Sequence, residues 1–167
     1  MIRSARPADR PAVEAVTLAA YEQYAALVPP QLWREYRRNI VDTLADATPD
    51  ITIVAEAEGT LMGSVLLYPA GAEMVEPGQG TPSRLAYPEV RLLAVAPWAR
   101  GRGVGRGLMD ECIRRTRASG TTVLTLHTND LMSVAMQLYE RMGFVRATDL
   151  DLEVAPGVLA KGYRLDL

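Results

Sequence analysis

Glu89-Val90-Arg91-Leu92-Leu93-Ala94-Val95-Ala96-Pro97-Trp98-Ala99-Arg100-Gly101-Arg102-Gly103-Val104-Gly105-Arg106-Gly107-Leu108-Met109 is the stretch from which the rest of the chain is read. Val90 to Val95 is rich in branched apolar residues, the composition of a buried strand. Pro97 has no N–H for a sheet ladder and stops it. Gly101, Gly103, Gly105 and Gly107 alternate, so the main chain there can approach a ligand closely. From Val104 the apolar positions Leu108, Met109, Cys112 and Ile113 recur at helical spacing. The first N–H groups of such a helix have no internal partner and point into the turn. That makes an anion site suited to phosphate. Arg100, Arg102 and Arg106 add positive charge around it.

The spacing excludes two common phosphate loops. A Walker loop ends in Gly-Lys-Ser/Thr, and no lysine stands in this stretch. A dinucleotide fingerprint needs glycines at offsets zero, two and five. Counted from Gly101 the third position is Arg106, and from Gly103 it is Leu108. The spacing that fits is Arg100-x-x-Gly103-x-Gly105, preceded by Ala94-Val95-Ala96-Pro97. It resembles the pyrophosphate-binding motif of the GNAT superfamily, the acetyl-CoA-dependent N-acyltransferases. A second stretch is Ala135-Met136-Gln137-Leu138-Tyr139-Glu140-Arg141-Met142-Gly143-Phe144. It is similar to that family's Ala-x-x-Leu-Tyr-x-x-x-Gly-Phe pattern. Relatives often carry an asparagine three residues before the alanine; here Met132 stands there, and Asn129 lies one helical turn earlier.

The resemblance implies acetyl-CoA as co-substrate, no metal, and acyl transfer by direct attack of an amine on the thioester. It implies that Leu93, Ala94 and Val95 act through the main chain on the pantetheine arm, with the Leu93 N–H as a small oxyanion hole. Arg100, Gly101, Arg102, Gly103, Val104, Gly105 and Arg106 would hold the pyrophosphate. Tyr139 would place its hydroxyl near the sulfur, as proton donor to the leaving thiolate. A phenol near pKa ~10 is a weaker acid than a thiol near ~8.5, so full transfer is uphill by only about 2 kcal/mol. The general base stays open. Glu89 stands where the histone-acetylating members place a glutamate. His127, the one histidine of the chain, stands where peptide N-terminal acetyltransferases place an acidic base. Its ordinary pKa near ~6.5 suits proton removal at neutral pH. Water or a substrate-assisted route is the third choice. Each residue also has an ordinary structural reading: a packed tyrosine, a solvated strand start, a structural histidine.

Composition bounds the rest. A chain of 167 residues, 49% hydrophobic and 23% charged, fits one compact domain over residues 1–167. A net charge of −2 predicts no general affinity for nucleic acid or anionic membrane. No apolar run approaches the ~20 residues of a membrane span. Met1 to Pro7 lacks the apolar core of a signal peptide. A single cysteine cannot make an internal disulfide, and no metal-ligand cluster is visible. A cytoplasmic protein is the expectation.

Taken in order, the chain predicts a strand at Ile2–Arg6 and a helix from Pro7 to about Leu27. Pro29-Pro30 breaks it, and a second helix runs from Leu32 to about Ala45. Strands at Ile51–Ala57 and Leu61–Tyr68 meet at Glu58-Gly59. A long loop, Ala70 to Tyr87, precedes the central strand-turn-helix. Then come a strand at Thr121–Leu126, a helix at Leu131–Met142, and strands at Phe144–Val154 and Val158–Leu167 joined through Pro156-Gly157. This order predicts an α/β (α+β) fold, with a mixed sheet and helices on both faces. The resemblance specifies a GNAT-like fold: a mostly antiparallel sheet of about seven strands with about four helices. It also places the first two helices, the long loop and the final hairpin around the acceptor. Tyr21, Tyr24, Trp33 and Tyr36 would then line a pocket or stack on a cation, and Glu73 and Glu76 would draw in an ammonium. The acceptor is expected to be a primary amine of a small molecule. Protein or peptide acetylation and a non-catalytic acyl-CoA-binding domain are the alternatives. Family members often dimerise, so a homodimer is a further expectation.

Overall fold

The computed structural model describes residues 1–75, 81–155 and 157–167; Glu76 and Pro156, named above, lie outside them. The chain divides into two compact units, Met1–Leu67 with Leu92–Glu111, and Tyr68–Arg91 with Cys112–Leu167.

The first unit begins with β1 (Ile2–Ser4), which pairs antiparallel with β2 (Thr52–Ala57). β2 pairs antiparallel with β3 (Thr60–Tyr68) across Glu58-Gly59, whose φ values are +51° and +76°. Two successive positive φ angles match the right-handed twist of a tight hairpin, as the Glu-Gly pair predicts. The expected first helix is three pieces. A 3₁₀ turn at Pro7–Asp9 leads into α1 (Arg10–Tyr21), and a second 3₁₀ segment follows at Glu22–Leu27. Helix α2 (Pro30–Asp46) starts earlier than the periodicity suggests. Pro30 sits at its first turn, where no N–H is needed, while Val28 and Pro29 are extended and end the first helical stretch as the Pro29-Pro30 pair predicts. α1 buries Val13, Val16, Thr17, Ala20 and Tyr21, one face at three- and four-residue spacing. The buried Thr17 hydroxyl is 3.1 Å from that of Ser64 on β3.

Strand β6 (Glu89–Val95) belongs to both units, and β3 is its sheet neighbour. A Cβ on Gly63 of β3 would lie 2.5 Å from the Ala94 carbonyl oxygen and 3.2 Å from Leu108 and Val104 side-chain atoms. Only glycine lets β3 sit this close to β6 and the following helix. That helix, α3 (Val104–Ala118), buries Leu108, Met109 and Cys112 completely.

The second unit holds the parallel pair of the sheet. β6 meets β7 (Val123–Thr128) at Glu89↔Thr125 and Val90↔Leu126. β7 pairs antiparallel with β10 (Val158–Asp166), which in turn pairs with β8 (Val145–Arg146) and β9 (Leu152–Ala155). The expected strand at Phe144–Val154 is therefore split by a 3₁₀ turn at Thr148–Leu150, while the last one is the unbroken β10. Helix α4 (Ser133–Arg141) connects β7 to β8. The long loop contains a two-residue ribbon, β4 (Glu73–Met74) against β5 (Ser83–Arg84), too short for a periodic signal. The strand order is β1-β2-β3-β6 followed by β7-β10-β8, with β9 on β10. With four α-helices among the described residues this is the mixed, mostly antiparallel fold expected. No helix among the described residues is long and apolar enough to cross a membrane.

Candidate active site

In the first unit β6 ends at Val95, and the Ala96 N–H donates to the Met62 carbonyl of β3 at 2.8 Å. A 3₁₀ turn at Pro97–Ala99 then reverses the chain. Gly101 and Gly103 adopt φ of +74° and +75°, the left-handed region that glycine enters without strain. A Cβ at either would meet no protein atom within 4 Å. The space above the turn is open, and the left-handed backbone alone requires the glycines. α3 begins at Val104, and the first helical bond is Gly107 N–H to Gly103 oxygen at 2.9 Å. The N–H groups of Val104, Gly105 and Arg106 precede any helical partner. They lie at the positive end of the helix dipole, the backbone arrangement that suits an anion. Arg102 is exposed; Arg106 stands 3.6 Å from Asp110 one turn on, with both side chains in solvent. Arg100 turns elsewhere: its guanidinium donates to the Ala20 carbonyl at 3.1 Å and to Gln23 Oε1 at 3.3 Å.

Upstream of the turn, Leu92 has φ of +50° within β6, two residues past the last position paired with β7. A bulky residue rarely adopts this conformation, which costs on the order of 1–3 kcal/mol. It immediately precedes Leu93, the residue whose N–H is the expected oxyanion donor. No residue type announces this bend, because leucine is not a left-handed residue.

In the second unit Glu89 and His127 come together. The Glu89 side chain is only 3% exposed as a residue. Arg91 Nε donates to its Oε1 at 2.5 Å, and His127 Nδ1 is 3.5 Å from its Oε2. Burial pushes the carboxyl pKa up, but the His127 hydrogen bond and the Arg91 and His127 charges outweigh it and hold the group below the ordinary glutamate value. Glu89 is therefore ionised at neutral pH. His127 Nε2 lies 2.7 Å from the Leu150 carbonyl oxygen. Both ring nitrogens face oxygen acceptors, an arrangement that a doubly protonated imidazolium satisfies at both ends. The Leu150 carbonyl is held in turn by the next residue. Asp151 accepts from both terminal nitrogens of Arg146, at 2.6 and 2.7 Å, and from the Gly162 N–H at 2.9 Å. These bonds draw the Asp151 carboxyl down to about 2. Arg91 and the Leu150 carbonyl belong to no motif: Arg91 follows Glu89 by two residues on β6, and Leu150 lies in the 3₁₀ turn Thr148–Leu150.

Tyr139 lies on α4, 6% exposed, with its ring 5.9 Å from that of Phe144 at 59°. The Phe144 N–H donates to the Tyr139 carbonyl at 3.0 Å, after Gly143 closes the helix at φ +92°. The Asn129 side-chain oxygen accepts the Leu131 N–H at 3.0 Å, so this group shapes the turn before α4. Glu73 pairs with Arg84 at 2.8 Å, both exposed. In the first unit the four aromatic residues form one chain of edge-to-face contacts. Tyr21 is 5.9 Å from Tyr24 and 6.0 Å from Tyr36, and Trp33 is 6.1 Å from Tyr36. Tyr24, Trp33 and Tyr36 are half-buried, and burial raises the pKa of the Tyr24 and Tyr36 hydroxyls.

Known proteins resemble this chain in sequence and in fold. The sequence model of the Acetyltransferase (GNAT) family matches residues 16–144. An IAA acetyltransferase of Azospirillum brasilense is 32% identical over 107 residues, 64% of this chain and 62% of that protein. A mycothiol acetyltransferase of Cellulomonas flavigena is 33% identical over 107 residues, 62% of this chain but 29% of that protein. The matches thus span less than two thirds of either relative. The PaiA N-acetyltransferase of Thermoplasma acidophilum, solved with coenzyme A, superposes with a TM-score of 0.74 at 14% identity, covering 100% of this chain and 98% of that one. A ribosomal-protein-alanine N-acetyltransferase of Brucella melitensis gives 0.64 at 23% identity, covering 100% and 99%. With the family model spanning well over half its length, the chain belongs to the GNAT acetyltransferase family.

Proposed function

We propose that the protein is an acetyl-CoA-dependent N-acetyltransferase for a primary amine of a small molecule, with residues 1–167 acting as one domain in the cytoplasm. The observation that carries this is the open left-handed turn at Gly101 and Gly103, which leads into the unpaired N–H groups of α3. Bound there, acetyl-CoA would supply an activated acetyl group. The main chain of Gly101 to Arg106 would hold the pyrophosphate, with the Arg102 and Arg106 charges beside it. Leu93, Ala94 and Val95 would hold the pantetheine arm through their backbone. Neither sequence relative is named for a protein substrate, which favours a small acceptor.

In this reading the amine nitrogen attacks the thioester carbon directly. The N–C bond forms and the C–S bond breaks. The Leu93 N–H meets the charge that develops on the carbonyl oxygen. Tyr139 donates a hydrogen bond to the departing thiolate. Glu89 receives the amine proton, since a carboxylate offers about four acceptor sites and retains capacity beyond Arg91 and His127. Its lowered pKa makes it a weaker base than a free glutamate, so a proton it receives is readily given up again. His127, with both nitrogens engaged, orients Glu89 and is not the base.

Thiol release from acetyl-CoA against a panel of small primary amines and of peptides with free N-termini tests the reading. Release is expected with at least one small amine and with none of the peptides. Release with peptides alone would make this a protein acetyltransferase. Coenzyme A binding without release to any acceptor would make it a binding module.

A further inference from the structure

Helix α1 carries no positive charge in its last turn, at the negative end of its dipole, where it runs on into the 3₁₀ segment Glu22–Leu27. Arg100 supplies that charge from outside the helix. Its Nη2 donates to the Ala20 carbonyl at 3.1 Å and its Nη1 to Gln23 Oε1 at 3.3 Å. Gln23 Nε2 donates to the same Ala20 carbonyl at 2.8 Å, so the three groups close a ring. Just beyond lies the 3₁₀ segment Glu22–Leu27, which carries Tyr24. The Arg100 charge reaches the Tyr24 hydroxyl, opposing the effect of its burial. From Tyr24 the edge-to-face chain runs through Tyr21 and Tyr36 to Trp33 on α2. The first residue of the diphosphate turn is thus fastened to the segment that starts this aromatic chain.

We propose that Arg100 is a positioning residue that couples the Gly101–Gly103 turn to the Glu22–Leu27 segment, so that filling the turn orders the aromatic chain where an acceptor would be read. The acceptor part rests on the acetyltransferase reading; the coupling itself does not. Arg100 would then serve the cofactor through its place in the chain, and its guanidinium would serve the helix.

Hydrogen exchange over residues 20–27, with and without coenzyme A, tests the coupling directly. In the wild type coenzyme A should slow exchange there. In Arg100→Ala that added protection should fall by about tenfold or more, the loss expected for one charged hydrogen bond. Gln23→Ala, which leaves the arginine charge beside the turn, should lose protection in the same direction. For the primary amine that the wild type acetylates fastest, Arg100→Ala should raise the acceptor KM by about fivefold with kcat within about twofold. The proposal is overturned if Arg100→Ala weakens coenzyme A binding about tenfold while coenzyme A still protects residues 20–27 as in the wild type, because the guanidinium would then be a phosphate ligand. It is equally overturned if coenzyme A never changes exchange over 20–27 in the wild type. A wild type that acetylates no amine would sink the acetyltransferase reading alone, and the exchange experiment would still decide the coupling.

Discussion

Gly103→Val is expected to weaken coenzyme A binding by about a hundredfold or more, with the protein still folded. Two effects add. A β-branched residue at φ +75° is strained by on the order of 1–3 kcal/mol, so the turn shifts toward negative φ and its N–H groups lose their convergence. Its side chain also projects into space that no protein atom fills within 4 Å, the space a diphosphate would take. Gly59 supplies the control. It has φ of +76°, equally open surroundings, and a place in the β2–β3 hairpin. Gly59→Val should therefore cost similar stability and leave coenzyme A affinity intact. Calorimetric titration beside chemical denaturation separates the two. Equal affinities for both variants and the wild type would remove the turn from the cofactor site.

Tyr139→Phe is expected to lower the single-turnover rate by about tenfold to several hundredfold, the range for losing one acid or oxyanion-type donor. The substitution keeps the ring, its packing on Phe144 and the α4 face, and removes only the hydroxyl. Acetyl-CoA affinity should change little, since most of the binding energy would come from the pyrophosphate and pantetheine. A merely structural hydroxyl would behave differently, costing about 1 kcal/mol of stability with turnover intact. Single-turnover measurement keeps product release out of the comparison. Full activity in Tyr139→Phe would remove the tyrosine from the reaction.

The parts of the fold written in local chemistry were legible in the sequence. Alternating glycines after an apolar run gave the strand, the turn and the start of α3, because a left-handed backbone needs a residue type that is visible by eye. Glu58-Gly59 gave a hairpin for the same reason. Pro29-Pro30 marks the break between the first two helical stretches, but the apolar period starts only at Leu32 and so misses the first turn of α2. The β4–β5 ribbon and the 3₁₀ turn at Thr148–Leu150 are shorter than any hydrophobic period. The candidate site was legible only where it is made of main chain or motif. That Glu89 meets His127 depends on the register that sets Glu89 beside Thr125, two residues before the histidine. The two had been weighed as rival bases. The structure instead brings them into contact, with His127 Nδ1 3.5 Å from Glu89 Oε2. The left-handed Leu92 and the reach of Arg100 to Ala20 have no local signature, since one is strain held by the surroundings and the other a tertiary bond.

Direct attack on the thioester is tested most simply by mixing the protein with acetyl-CoA, first alone and then with the best amine from the panel, while following free thiol, N-acetyl product and the intact mass of the protein. The account predicts negligible thiol release without amine, one N-acetyl product per thiol with it, and no acetylated protein at any time. Thiol release that precedes amine addition, together with an acetyl group on the protein, would contradict it.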